Sequence, residues 1–290
     1  MPTRRLTAEQ RRVLAWGILH RRDLPWRATR DPWAVLVSEV MLQQTQVARV
    51  LERYPAFLER FPTPAATADE PLGAVLREWE GLGYPRRARN LHAAARRCVE
   101  LHDGSLPDDL VALEALPGVG AYTARAVLAF AFERDVGVVD TNIARVLARR
   151  AGSRLTPREA QRSADEAVPE GDGWEWNQSL MDLGASACRP RPSCRGCPIE
   201  CAWRVGGYAE PDPAIASAHV SRRQAPFVGS DRQARGRLLA ALGASDLVDD
   251  PATVAAAAGL DGEPVRALDL ISALIAEGLV ARRDDMLTLP

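Results

Sequence analysis

The sequence predicts an all-α fold, and three observations carry that reading. Apolar residues recur at helical spacing in segment after segment, strand-like alternation is nearly absent, and the periodic runs are separated by Pro, Gly or Asp. In order, residues 7–20, 33–51, 69–80, 86–102, 108–116, 121–132, 141–151, 157–168 and 175–187 read as helices. Residues 205–230, rich in Pro, Gly, Ala and Ser, read as a linker or wrapping loop. Helical stretches at 231–243 and 264–278 follow, then a short hairpin turning at Asp284-Asp285, which together suggest a small winged-helix-like module.

Composition narrows the class. A chain of 290 residues is long enough for two or three domains with their own cores. With 47% apolar and 26% charged residues and no run long enough to cross a membrane, it reads as an ordinary globular chain with no membrane partner. The basic start MPTRRLTAEQRR is not followed by an apolar stretch of signal-peptide type, so a cytoplasmic location is expected. Net charge is −1, but every one of the 37 basic residues is arginine, whose planar fork pairs with phosphate. Arg86, Arg87, Arg89, Arg96 and Arg97 fall close together. As a group they read as a phosphate-facing patch, and any one of them alone as a solvated helix face.

The segment Leu116-Pro117-Gly118-Val119-Gly120 breaks one helix and starts another with backbone N–H groups exposed, a hairpin able to grip phosphate. About twenty residues on, an apolar run ends in Asp140, which opens the helix Thr141-Asn142-Ile143. There it is expected to accept N–H bonds and remain an anion. Glu39, flanked by Ser38 and Val40 in an apolar stretch, is expected to be desolvated, with a raised pKa, and able to donate a proton. A protonated acid with an ionised carboxylate is the pairing that cleaves a glycosidic bond. An N-cap for Asp140 and a buried ion-pair partner for Glu39 are the plainer alternatives. The absence of lysine removes every side-chain amine that could form a Schiff base.

Cys188, Cys194, Cys197 and Cys201 lie in CRPRPSCRGCPIEC, whereas Cys98 stands alone on a helix and reads as core. Four thiols this close in a cytoplasmic chain point to a metal. Zinc sites pair two short knuckles across a spacer. A single loop wrapping all four ligands suits a four-iron cluster better. Arg189, Arg191 and Arg195, between the ligands, make the loop a candidate clamp on the DNA backbone.

Hairpin, aspartate and four-cysteine loop together resemble the endonuclease III superfamily of helix-hairpin-helix DNA glycosylases. Leu24-Pro25-Trp26-Arg27, Ser38 to Val47 (SEVMLQQTQV), Gly81-Leu82-Gly83-Tyr84, Val139-Asp140-x-Asn142 and Met181 to Ala185 (MDLGA) look like its MutY-type adenine glycosylases. The resemblance covers about residues 7–205 and implies a two-lobed fold. Residues 29–135 would form a six-helix domain with the hairpin, and residues 1–28 with 136–204 an iron–sulfur domain. A linker at 205–230 and the winged-helix-like module at 231–290 would follow.

The implied chemistry is release of adenine from duplex DNA opposite 8-oxoguanine or guanine, after the base is flipped from the stack. Glu39 would protonate N7 of adenine, and Asp140 would stabilise or transiently bond the sugar cation. Water would complete the hydrolysis. Tyr122 stands where bifunctional relatives carry the Schiff-base lysine and would support the acid–base network with Asn142. Gln44 and Tyr84 match residues that wedge into the duplex, and Arg27, Leu42 and Gln43 match the adenine pocket. Gly118 and Gly120 match the phosphate-holding hairpin. Cys188, Cys194, Cys197 and Cys201 would hold a [4Fe-4S] cluster, although the outer gaps of C-x5-C-x2-C-x3-C are tighter than is usual in the family. A monomer acting near the nucleoid is expected. Pro85 follows Tyr84 where the family often has a second tyrosine. The C-terminal part is too short and too poor in strands for the NUDIX-like domain of many members. A thymine- or uracil-mismatch glycosylase of the same fold, or a non-catalytic, metal-dependent DNA-binding protein, are the rival readings.

Overall fold

The computed structural model describes residues 5–220 and 226–290. Among them the helices run α1 (Ala8–His20), α2 (Pro32–Leu42), α3 (Val47–Arg60), α4 (Pro64–Ala68), α5 (Leu72–Glu78) and α6 (Arg86–Leu101). Next come α7 (Leu110–Glu114), α8 (Ala121–Phe130), α9 (Thr141–Ala151), α10 (Pro157–Ala167), α11 (Gly173–Ser186) and α12 (Ala202–Val205). The chain closes with α13 (Asp231–Ala244), β1 (Leu247–Val248), α14 (Pro251–Ala258), α15 (Pro264–Ala276), β2 (Ala281–Arg283) and β3 (Met286–Thr288). Among the described residues no helix is long and apolar enough to cross a membrane.

Contacts divide the chain into two compact units. The first takes Met1–Pro32, Asp108–Leu110 and Gly120–Arg223, and the second Trp33–Pro107, Val111–Val119 and Gln224–Pro290. This division differs from the expected one: residues 29–32 and Asp108–Leu110 group with the first unit. Gly120 to Asp135, with α8, groups with the cysteine-bearing half, because α8 packs on α11. The C-terminal module belongs to the second unit and does not form a domain of its own.

The first unit is built on stripes at helical spacing: Val13 on α1, Ile143 and Leu147 on α9, and Trp176, Leu180 and Leu183 on α11, closed by Ile199. Capping boxes at Thr7 with Gln10 and at Thr156 with Glu159 fix where α1 and α10 begin. Residues 205–220 are no free spacer. Asp212 pairs with Arg149 (2.6 Å), the Leu155 N–H donates to Ser217 Oγ (3.2 Å), and Ala214 and Ser217 are buried. This stretch wraps the unit because its polar groups find partners there. The rest of the expected linker at 221–225 lies outside the described residues.

In the second unit the expected helix 33–51 is two helices. α2 stops at Leu42, Gln44 takes a left-handed conformation (φ 56°), and α3 begins at Val47 and continues through Pro55 to Arg60. Tyr54, Phe57 and Phe61 are buried, and Phe57 packs on Phe61 and Trp79 at centroid distances of 4.9 and 5.9 Å. That burial outweighs the hydrogen bond lost at Pro55. The C-terminal part has the helix–strand–helix–helix–strand–strand order of a winged helix, with antiparallel sheet order β1-β3-β2. Its hairpin turns at Asp284 (φ 52°) as expected, pairing Arg282 with Leu287. The Gly73 N–H donates to the Pro290 carbonyl (2.6 Å), and Arg77 Nε to the Gly243 carbonyl (3.2 Å), so this module is bonded to the helices before it.

Candidate active site and metal centre

Asp140 is the N-cap of α9, and there sequence and structure agree. Its Oδ1 accepts from the Ile143 N–H at 2.7 Å and its Oδ2 from Asn142 Nδ2 at 3.0 Å. The helix start does not set its pKa. Burial pushes the carboxyl above its ordinary value, outweighing these hydrogen bonds and the nearby Arg145 charge. Packing decides this, since the helix N-terminus alone would have lowered it.

Asn142 is itself held. Arg145 Nη2 donates to Asn142 Oδ1 and to the Gly184 carbonyl, both at 2.7 Å, and Arg145 Nε to the Cys188 carbonyl at 2.6 Å. A connected polar chain thus runs from Asp140 to the first cysteine. Gly184 makes it possible, because a Cβ there would lie 2.6 Å from Asn142 Cβ and 2.8 Å from its carbonyl oxygen. The MDLGA motif therefore has two physical jobs: its glycine admits Asn142, and its Asp182 binds Arg27. Arg27 Nη1 and Nη2 donate to Asp182 at 2.7 and 3.0 Å, with Arg22 Nε adding a third bond at 2.5 Å. Arg27 is buried in this pair, so its place is beneath the first unit's surface. Tyr122, half-buried near the start of α8, lies in the same unit.

The second unit carries Glu39, Leu42, Gln43, Gln44, Tyr84 and Gly118. Glu39 is buried on α2 at 6% exposure among buried apolar neighbours, as expected. Gln44 and Tyr84, on separate loops, both adopt positive φ (56° and 49°), a strained backbone for residues with side chains.

One residue that the sequence reading had put in the basic patch, Arg87, holds those loops. Its Nη1 donates to the carbonyls of Val40 (2.8 Å), Met41 (2.9 Å) and Gln43 (2.6 Å), the spent end of α2. Its Nη2 donates to Thr45 Oγ1 (3.0 Å) and to the carbonyls of Leu82 and Gly83 (both 2.9 Å). Burial pulls the guanidinium down to about 10, still a cation at neutral pH. The patch is therefore not a uniform phosphate face: Arg87 is buried, Arg86 pairs with Glu277, and Arg96 and Arg97 are exposed. The available signal was the stripe Arg87, Leu91, Ala94 and Cys98, which places Arg87 on the buried side of α6.

Gly118 takes φ 79°, and a Cβ there would meet Asn90 Cβ at 2.7 Å, so only glycine fits. Gly120 needs no special φ and has open space around it, at the N-cap of α8 without a side-chain cap. Its surroundings leave the α8 N-terminal amides accessible to an anion.

Cys188, Cys194, Cys197 and Cys201 all line one cavity, with Leu183 and Ile199 supplying its apolar wall. Arg149 Nη1 donates to Cys188 Sγ (3.3 Å) and to the Arg189 carbonyl (2.7 Å), and the Arg204 N–H to Cys201 Sγ (3.4 Å). Among the described residues no three potential ligands converge on a single metal-binding point.

Residues 37–170 match the model of the HhH-GPD superfamily base excision DNA repair protein. The adenine DNA glycosylase of Mycobacterium tuberculosis is 43% identical over 288 residues, covering 94% of this chain and 90% of its own length. The chain belongs to the adenine DNA glycosylase family. The human adenine DNA glycosylase is 40% identical over 74% of this chain and 42% of its own length. Among solved structures, a thermostable thymine-DNA glycosylase superposes with a TM-score of 0.62 at 32% identity, covering 64% of this chain and 89% of that one. The family's fold is the helical one described above, and it places the chain among base excision repair enzymes.

Proposed function

We propose that this chain is a monofunctional glycosylase that hydrolyses adenine from duplex DNA where adenine faces 8-oxoguanine or guanine. The observation that carries the reading is Asp140, held by an amide and by Asn142 at a helix start, in a family of adenine glycosylases. Its ionised form stabilises positive charge developing on the sugar, and its raised pKa makes that anion less satisfied before the charge appears. Glu39, buried on α2, is the proton donor to the adenine ring. No lysine is present to continue into strand cleavage by a side-chain imine, and Tyr122 occupies that position.

The four cysteines fit a [4Fe-4S] cluster. A single zinc requires four sulfurs around one point at ~2.3 Å, whereas a cluster takes one thiolate at each corner of a larger body. Four thiols from one loop lining a common cavity support the second case. When bound, the cluster would link the four thiolates covalently and hold the loop closed. Arg149, donating to Cys188 Sγ and to the Arg189 carbonyl, fixes the loop's first turn. Iron and sulfide analysis of the purified protein tests this, and stoichiometric zinc in place of iron would sink it.

The catalytic reading is tested with duplexes carrying A:8-oxoguanine, A:G, T:G or U:G, each treated with alkali after incubation. Cleavage confined to the adenine strands, and dependent on the alkali, is expected. Release of thymine or uracil would favour the mismatch enzymes represented by the thymine-DNA glycosylase structure.

A further inference from the structure

The second unit carries an open groove of about 570 Å³ that the chemistry above does not use. Gln44, Arg49, Tyr84 and Arg86 lie along one side, and the face of α13 with Arg232, Arg235 and Gly236 along the other. Arg232 Nη1 donates to Tyr84 Oη at 3.1 Å, joining the C-terminal module to the strained loop. Four guanidinium groups line the groove against a single carboxylate, Glu277, which pairs with Arg235 (2.6 Å) and Arg86 (2.9 Å). The groove therefore keeps net positive charge. Gly236 sits inside α13, where glycine is a poor helix former, and a Cβ built there meets nothing within 4 Å. A residue unfavourable to its own helix, facing open space between guanidinium groups, fits the close approach of a charged chain.

We propose that α13 is a wall of the DNA site, and that Arg232, Arg235 and Arg49 hold backbone phosphates of the strand passing Gln44 and Tyr84. The inference rests on the glycosylase reading only for the identity of those two residues as the part facing the duplex. Guanidinium forks match phosphate geometry. The Tyr84 and Phe227 rings beside them give a base a surface to stack on. Under this assignment the module contributes through its first helix. Its β2–β3 wing has Arg282 tied to Asp249.

The test uses the full chain, a short duplex bearing one A:G pair, and equilibrium binding across a salt series, with base release followed in parallel. Gly236→Leu keeps or improves the helix and fills the groove. It should weaken binding by about tenfold or more while the melting midpoint stays at or above that of the parent. Gly236→Ala, which adds a single methyl group at the point of close approach, should lose less binding than Gly236→Leu. Arg232→Ala should lower the slope of log K against log salt by about 0.9, one phosphate contact. Parent-like binding and salt slope in both Gly236→Leu and Arg232→Ala would overturn the assignment. So would equal losses in the Gly236→Ala and Gly236→Leu variants. If the parent released no adenine while these binding effects held, the glycosylase reading would fail and the groove would stand.

Discussion

Arg27 and Arg87 are equally buried, at 9% exposure each, yet the two units satisfy them in opposite ways. In the first unit Arg27 meets a carboxylate, Asp182, which is also bound by Arg22. In the second, Arg87 is surrounded by five carbonyls and a hydroxyl. The first arrangement pairs opposite charges and ties the segment between α1 and α2 to α11. The second keeps a positive charge beneath the Gln44 and Tyr84 loops, and it shapes those loops by collecting carbonyls that a continuing helix would have used. The Arg27–Asp182 region thus depends on paired charge, and the Gln44–Tyr84 region on the shape of the backbone.

The largest effect should come where charge itself does the chemistry. Asp140→Asn keeps an acceptor for the Ile143 N–H but loses the anion. Single-turnover adenine release should fall roughly 10²–10⁴-fold while duplex binding persists. In the parent, the acid limb of the rate profile should lie above the ordinary aspartate value, since burial raises Asp140. A limb at or below that value would break the charge argument.

The two buried arginines provide the next contrast. Arg27→Met leaves Asp182 to Arg22 alone and should cost up to about 3 kcal/mol in denaturant unfolding at neutral pH, the lower end for a broken buried pair. In the parent, burial pushes Asp182 up, but the bonds and charges of Arg27 and Arg22 outweigh it and leave it below the usual value. That stabilisation is present above the unfolded pKa and is lost as pH falls through the lowered folded one. The Arg27→Met deficit should therefore shrink on acidification. Arg87→Met orphans several neutral acceptors at about 1–3 kcal/mol each, and its deficit should stay flat with pH because carbonyls do not titrate. Similar pH dependence in both variants would erase the distinction.

Smaller effects should follow at the glycines. Gly184→Ala drives a methyl into Asn142 and should cost about 1–3 kcal/mol, slowing base release through the displaced Asp140 partner. Gly118→Ala, forced to φ 79° against Asn90, should cost at least about 1–2 kcal/mol. Gly120→Ala should change stability by no more than about 0.5 kcal/mol and register only in DNA affinity. Equal melting shifts for the two hairpin glycines would show that their surroundings do not differ.

Much of the candidate site was legible because its signals are local. Asp140 as an N-cap, Gly118 at a turn, the clustered thiols and the Asp284 hairpin each depend on a few adjacent residues. The break after Leu42 was not legible, because Arg87 arrives from more than forty positions away to cap the carbonyls of α2. Nor was the role of Arg87 separable from that of Arg86, its neighbour in the same basic run. Asp140's raised pKa escaped for a similar reason: helix position is readable from sequence, and packing density is not.

By itself, then, the sequence determined most of the longer helices, the hairpin, the two carboxylates, the four thiols and the absence of any lysine, all set by residue type and short-range spacing. Only the tertiary structure decided which arginines are buried and what satisfies them. It also decided that Gly184 admits Asn142, and that the C-terminal module packs into the second unit beside Tyr84. Those outcomes depend on which distant groups meet in a low-dielectric interior, where an unpaired charge or carbonyl is costly and the one available partner fixes the geometry.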